Sequence, residues 1–118
     1  NKLGQDIDGE AQYDYSGSSV SLSSDGSIVA IGANGNDENG DWSGHVRVYR
    51  YDGSSWSQVG LDIDGEAQYD KSGYSVSLSS DGSVVAIGAR YNDGNGTNSG
   101  HVRVYSYNGS SWTQLGLD

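Results

Sequence analysis

Residues 21–33 read SLSSDGSIVAIGA, and residues 77–89 read SLSSDGSVVAIGA. One methyl group, at Ile28 against Val84, separates the two stretches. The likeness extends in both directions. Gly4–Val59 aligns on Gly60–Leu115 without a gap, and 43 of the 56 aligned positions are identical. The tail LGLD (Leu115–Asp118) begins the sentence again, matching LGQD at Leu3–Asp6. A fixed period of this length marks propellers and solenoids, in which one unit cannot bury its apolar face alone and stacks on a neighbour. The chain divides accordingly into a first unit at 3–58, a second at 59–114 and the start of a third at 115–118.

Each unit predicts four antiparallel strands and no helix. SVSLS (Ser19–Ser23) alternates, with Val20 and Leu22 on one face. The Asp-Gly of SDGS makes a tight turn. SIVAIGA (Ser27–Ala33) is a nearly continuous apolar run, the pattern of a strand covered on both faces. A polar loop, NGNDENGDWS (Asn34–Ser43), leads to the alternating GHVRVYRY (Gly44–Tyr51), and after DGSS the segment WSQVGL (Trp56–Leu61) returns. The connector DIDGEAQYDKSG (Asp62–Gly73) joins the units. The expected fold is all-β: two tandem four-stranded propeller-like blades, part of a larger propeller or stacked array. In such a meander the tight turns share one end, and the long acidic loops share the other. Binding residues sit on loops held by a rigid scaffold, so a ligand or partner face is expected at the long-loop end.

Composition narrows the function. The net charge is −10, with only six Lys and Arg. That is no phosphate-tracking surface, so nucleic acid is not an expected partner. No apolar run approaches the roughly 20 residues of a membrane span. There are 19 Gly and no Cys, Pro, Met or Phe, so the bulk comes from nine Tyr and three Trp. Such a core is thin, and stability is expected from stacking. Two blades do not close a ring. A bare blade face of about 500 Å² is worth on the order of 12 kcal/mol at about 25 cal/mol per Å², against an association cost of about 4–15 kcal/mol. Head-to-tail contact between copies, giving a filament or a multi-chain ring, is therefore expected.

The residues SGSSVSLSSDGSIVAIGA, SGHVRVYRY and the following Trp resemble the FG-GAP-type propeller repeats of integrin alpha-subunit heads and related microbial and algal surface proteins. The likeness spans both units. Ser16-Gly17 and Ser72-Gly73 stand where that family has Phe-Gly, and Gly32-Ala33 and Gly88-Ala89 stand for its Gly-Ala-Pro. The resemblance implies a blade fold and an extracellular or cell-surface location. The family's calcium loop, an Asp-rich insertion between the first two strands, is reduced here to SSDGS.

Several residues carry candidate chemistry. His45 and His101 hold equivalent positions near Ser43 and Ser99. A constellation repeated on two blades lacks the single asymmetric pocket that catalysis needs, so no enzyme is expected. Asp6, Asp8 and Glu10, with Asp62, Asp64 and Glu66, form acidic stretches of the kind that supply calcium with its six to eight oxygens. The same residue types make ordinary turns. No other cofactor is implied. NGT at Asn95 and NGS at Asn108 are acceptor motifs for N-glycosylation. The copies differ at Asn34/Arg90, Gly35/Tyr91, Trp42/Asn98, Tyr15/Lys71 and Ser18/Tyr74. Trp42, Asn34, Arg90, Tyr91, Lys71 and Tyr74 are thus candidates for a partner face. Trp56, Trp112, Tyr49 and Tyr105 offer either sugar stacking or packing between blades. The expected function is an extracellular structural repeat whose partners are copies of itself. The alternative is a lectin-like or adhesive propeller that takes a glycan or a surface protein on its acidic long-loop face.

Overall fold

The computed structural model describes residues 3–9, 15–33, 44–64, 71–89 and 101–116. Strands β1 (Ser16–Leu22), β2 (Ile28–Ala33), β3 (His45–Tyr51) and β4 (Trp56–Gln58) form one antiparallel meander. After β5 (Ile63–Asp64), the strands β6 (Ser72–Leu78), β7 (Val84–Ala89), β8 (His101–Tyr107) and β9 (Trp112–Gln114) repeat it. The two expected blades are present. One feature departs from the expectation. The first residues of the connector are not a loop: β5 pairs with the start of β3, and the first sheet has five strands. Among the described residues no helix is long and apolar enough to cross a membrane.

The turns follow from their side chains. Asp25 Oδ1 accepts from the Ser27 amide at 3.0 Å, the Ser27 hydroxyl at 2.7 Å and the Ser23 hydroxyl at 3.0 Å. The Ser23 hydroxyl oxygen in turn accepts from the Ile28 amide at 3.1 Å. Asp81, Ser79 and Ser83 make the same set in the second blade. Ser-Asp-Gly-Ser thus builds its turn from short side chains that reach the backbone two residues on. At the opposite end each first strand opens with a bulge. Ser16 pairs with Ala33 and Ser19 with Gly32, leaving two residues between them, and Gly17 takes φ 91° there.

Register assigns each side chain to a face, because neighbours along a strand alternate and paired residues share a side. Ser21, Ala30 and Val48 align across β1, β2 and β3, as do Gly32 and Val46. This face of the first blade packs on the second. Val20, Ile31 and Arg47 align on the other face, with Leu22, Val29 and Tyr49 beside them. The apolar residues Val20, Leu22, Ile28, Val29, Ile31, Val46 and Val48 therefore do not form one surface. β2 is apolar at consecutive positions and serves both sides of its sheet, so the set divides into two opposite faces.

Between the blades lies one core. Ile28, Ala30, Val46, Val48 and Ile63 of the first sheet meet Leu78, Val85 and Ile87 of the second. Val59, Val76, Tyr105 and Trp112 pack around them. Each fully covered aliphatic side chain contributes about 1.5–3 kcal/mol. Polar bonds fix the register of the contact. The Ser19 hydroxyl donates to the Gly73 carbonyl at 2.7 Å, the Leu78 amide donates to the Ser21 hydroxyl at 3.0 Å, and the Ser24 amide donates to the Ser80 carbonyl at 2.9 Å. Gly32 lies directly against the Gly73 carbonyl, so a Cβ there would collide with backbone. A small residue lets the two sheets approach at this point.

Candidate functional site

The repeat supplies an internal control, since equivalent residues share a sequence and differ only in what covers them. Val46 is fully buried in the joint between the blades, whereas its counterpart Val102 is 60% exposed. Leu78 is 9% exposed, whereas its counterpart Leu22 is 59% exposed. Val20 is bare at 62%, and its counterpart Val76 packs on the core. The first blade thus offers the face that the second blade uses in the joint. The second blade offers the face that the first uses. On the first blade the exposure is confined to part of the face, since Val29 and Ile31, on the same face as Val20 and Leu22, are buried.

A second feature recurs at the outer edge. Asp6, Ile7 and Asp8 line a cleft of about 230 Å³ with Tyr49, Ser55 and Trp56. Asp62, Ile63 and Asp64 line its counterpart, about 260 Å³, with Tyr105, Ser111 and Trp112. Each cleft sets an aromatic pair beside two carboxylates. Each tryptophan is also a clasp. The Trp112 indole donates to the Val59 carbonyl at 2.9 Å, and the Trp56 indole donates to the Leu3 carbonyl at 3.0 Å. Tyr107 and Tyr51 stack against the two indoles, both at 5.1 Å.

The connector also organises charge. Pairing of β5 with β3 puts Ile63 on the core side with Val46 and sends Asp62 and Asp64 to the other side, where His45 and Arg47 stand. Arg47 Nε donates to Asp62 Oδ1 at 3.2 Å, and Gln58 Nε2 donates to the same oxygen at 2.6 Å. His45 Nδ1 lies 3.5 Å from Asp62 Oδ2 and 3.9 Å from Asp64 Oδ1. His45 is buried. The donor atoms of His45, Asp62 and Asp64 lie within 4.8 Å of one another. One imidazole and two carboxylates suit a divalent transition ion better than calcium, which takes six to eight oxygens. Arg47 already compensates Asp62, so the cluster is also a coherent ion-pair network without a metal.

The other residues singled out from the sequence separate into two groups. Trp42, Asn34, Arg90, Tyr91, Glu10, Glu66 and Asn95 lie outside the described residues. Lys71 and Tyr74 are described. Lys71 takes φ 55° in the turn before β6, and the Tyr74 amide donates to its carbonyl at 3.1 Å. Ser72 bridges to Gly44, which sets this turn beside the start of β3, as the loop arrangement requires. Asp6 and Asp8 line the first cleft, and Asp62 and Asp64 the second. Asn108 is exposed, and its Oδ1 accepts from the amides of Ser110 and Ser111, both at 2.9 Å. The network of His45, Arg47 and Asp62 escaped the sequence reading. Its one local signal was the His-x-Arg spacing, which puts both cations on one side of a strand.

The model of one known family, the FG-GAP repeat, matches residues 7–49 and again residues 61–105. No curated protein matches the chain.

Proposed function

The chain belongs to the FG-GAP repeat family, and we propose that it serves as a non-catalytic, extracellular structural repeat that stacks head-to-tail on copies of itself. One observation carries this reading: Val20 and Leu22 on the first blade and Val102 on the second are exposed, whereas their counterparts in the other blade are covered in the joint. Val102 against Val46 and Leu22 against Leu78 are the clearest pairs. Adjacent aliphatic side chains as exposed as Val20 and Leu22 gain by being covered. A contact that joins different faces does not satisfy itself within a dimer, so it propagates into a filament or closes as a ring. The acidic surface and the two glycosylation motifs support an extracellular setting.

Sedimentation velocity over a concentration series tests the proposal. The full chain is expected to form species larger than a dimer. Leu22→Lys should reduce it to a monomer without lowering its melting temperature, because Leu22 lies outside the internal joint. Leu78→Lys should unfold it, since an unpaired charge would be buried there. A full chain that stays monomeric at every concentration contradicts the proposal.

A second reading is favoured by the twin clefts. Aromatic rings beside carboxylates can bind a polyhydroxylated ligand, and the paired clefts would make a lectin-like or adhesive surface. Saturable glycan or calcium binding by a monomer, abolished by Trp56→Ala with Trp112→Ala, is the result that would favour it.

A further inference from the structure

We propose that the joint between copies includes a strand addition, in which Ile7–Asp8 of one copy pairs antiparallel with His101–Val102 at the start of β8 in the copy before it. The inference rests on the head-to-tail stacking proposed above and specifies how the two chains interlock.

The nonapeptide DIDGEAQYD occurs at 6–14 and again, unchanged, at 62–70. In its second occurrence Ile63 and Asp64 form β5, with Asp64 opposite His45 and Ile63 opposite Val46. In its first occurrence Ile7 and Asp8 adopt no strand. Identical residues have identical propensities, so the difference lies in the partner. Residues 63–64 follow a blade whose β3 edge receives them. For residues 7–8 the corresponding edge is that of a blade ahead of the first.

The receiving edge exists at the other end of the molecule. β8 repeats β3, and among the described residues nothing pairs with His101–Val102 on the side where β5 covers His45–Val46. The side chains agree with the transfer. Ile63 is buried over fully buried Val46, whereas Val102 is 60% exposed and Ile7 is only half-buried. Across the joint Ile7 would cover Val102. Asp6 would approach Arg103 as Asp62 approaches Arg47. An open sheet edge with a waiting strand of matched pattern is the arrangement used in recognition by strand addition.

The tryptophan clasp adds a condition. Val59 joins the blades: its amide donates to the Val48 carbonyl at 2.7 Å, and its carbonyl accepts from Trp112. Leu115 repeats the first half of this, its amide donating to the Val104 carbonyl at 2.7 Å. Gly60 sits under Trp112 and Gly4 under Trp56, whereas the space beside Gly116 is open, although all three take φ near 70°. Leu115–Gly116 of one copy and Leu3–Gly4 of the next therefore answer to the same place beneath Trp56. Only one pair fits, so forming the joint involves an exchange at that indole.

Cysteine cross-linking tests the pairing in the full chain, which has no native cysteine. Ile7→Cys with Val102→Cys places thiols on residues that would face one another across two copies, and neither position belongs to the internal core. Mild oxidation should give a ladder of covalent multimers that collapses on reduction. Either single variant should stop at a dimer. Val46→Cys with Ile63→Cys makes the same pair within one chain and should stay monomeric on the same gel. If the full chain assembles but the double variant yields nothing beyond a dimer, strand addition is wrong and stacking stands. If the full chain sediments as a monomer throughout, stacking fails and this inference falls with it.

Discussion

Asp52 and Asn108 occupy one position in the two copies and do one job with one oxygen. Asp52 Oδ1 accepts from the Ser54 and Ser55 amides at 2.9 Å, and Asn108 Oδ1 accepts from the Ser110 and Ser111 amides at the same distance. A carboxylate and an amide are interchangeable there because only an acceptor is needed. The SDGS turns use Asp in both copies. Backbone and hydroxyl donors of Ser83, with the Ser79 hydroxyl, lower Asp81 from 3.8 to about 2, and the Ser27 backbone leads the same effect on Asp25. A carboxylate depressed in the folded state stabilises the fold above its unfolded pKa, and that contribution is lost as pH falls through the folded one. Acid titration followed by circular dichroism should therefore show stability falling between about pH 3.8 and about 2. Asp81→Asn should flatten the curve in that window, because the amide keeps the acceptor and drops the proton. An unchanged curve would mean that the turn carboxylates do not couple to folding. These turns were legible in the sequence because their chemistry is local. The burial of His45 was not, since it depends on Asp62 and Asp64, which reach it only when the connector folds back.

Strands show the same division between local and distant causes. Alternation and Asp-Gly turns locate β1 to β4 and β6 to β9, because each hairpin closes over a few residues. β5 has no signal of its own, being two residues long and formed only against β3. The two-sided use of β2 and β7 was legible as a continuous apolar run, but which side meets the neighbour depends on register between sheets. Glycine gives a test at this level. Gly32 and Gly88 are equivalent, yet a Cβ on Gly32 meets the Gly73 backbone as well as Ser19, whereas on Gly88 it meets only Ser75. Gly32→Ala should cost about 1–3 kcal/mol or more, as overpacking does, read by urea denaturation. Gly88→Ala should cost distinctly less in the monomer, while weakening assembly, because Gly88 faces outward where the next copy would dock. Equal effects of the two substitutions on the monomer would contradict the assignment of faces.

For the molecule as a whole, the repeated sentence led to repeated blades. The sequence also led to the expectation of head-to-tail contact, but not to which residues line each face, which appears only when Val46 is compared with Val102 and Leu78 with Leu22 in folded form. Because the buried core draws on both sheets, the two blades form one stabilised unit, and in the proposed assembly the contact inside that unit is the template for the contact between copies. Electron cryo-microscopy of the assembled particle tests this most directly. The account predicts that the second blade of one copy and the first blade of the next superpose on the two blades within a chain, with Val102 and Leu22 buried as Val46 and Leu78 are. Particles whose neighbouring blades meet through any other pair of faces, or a chain that remains monomeric with both faces open, would contradict it.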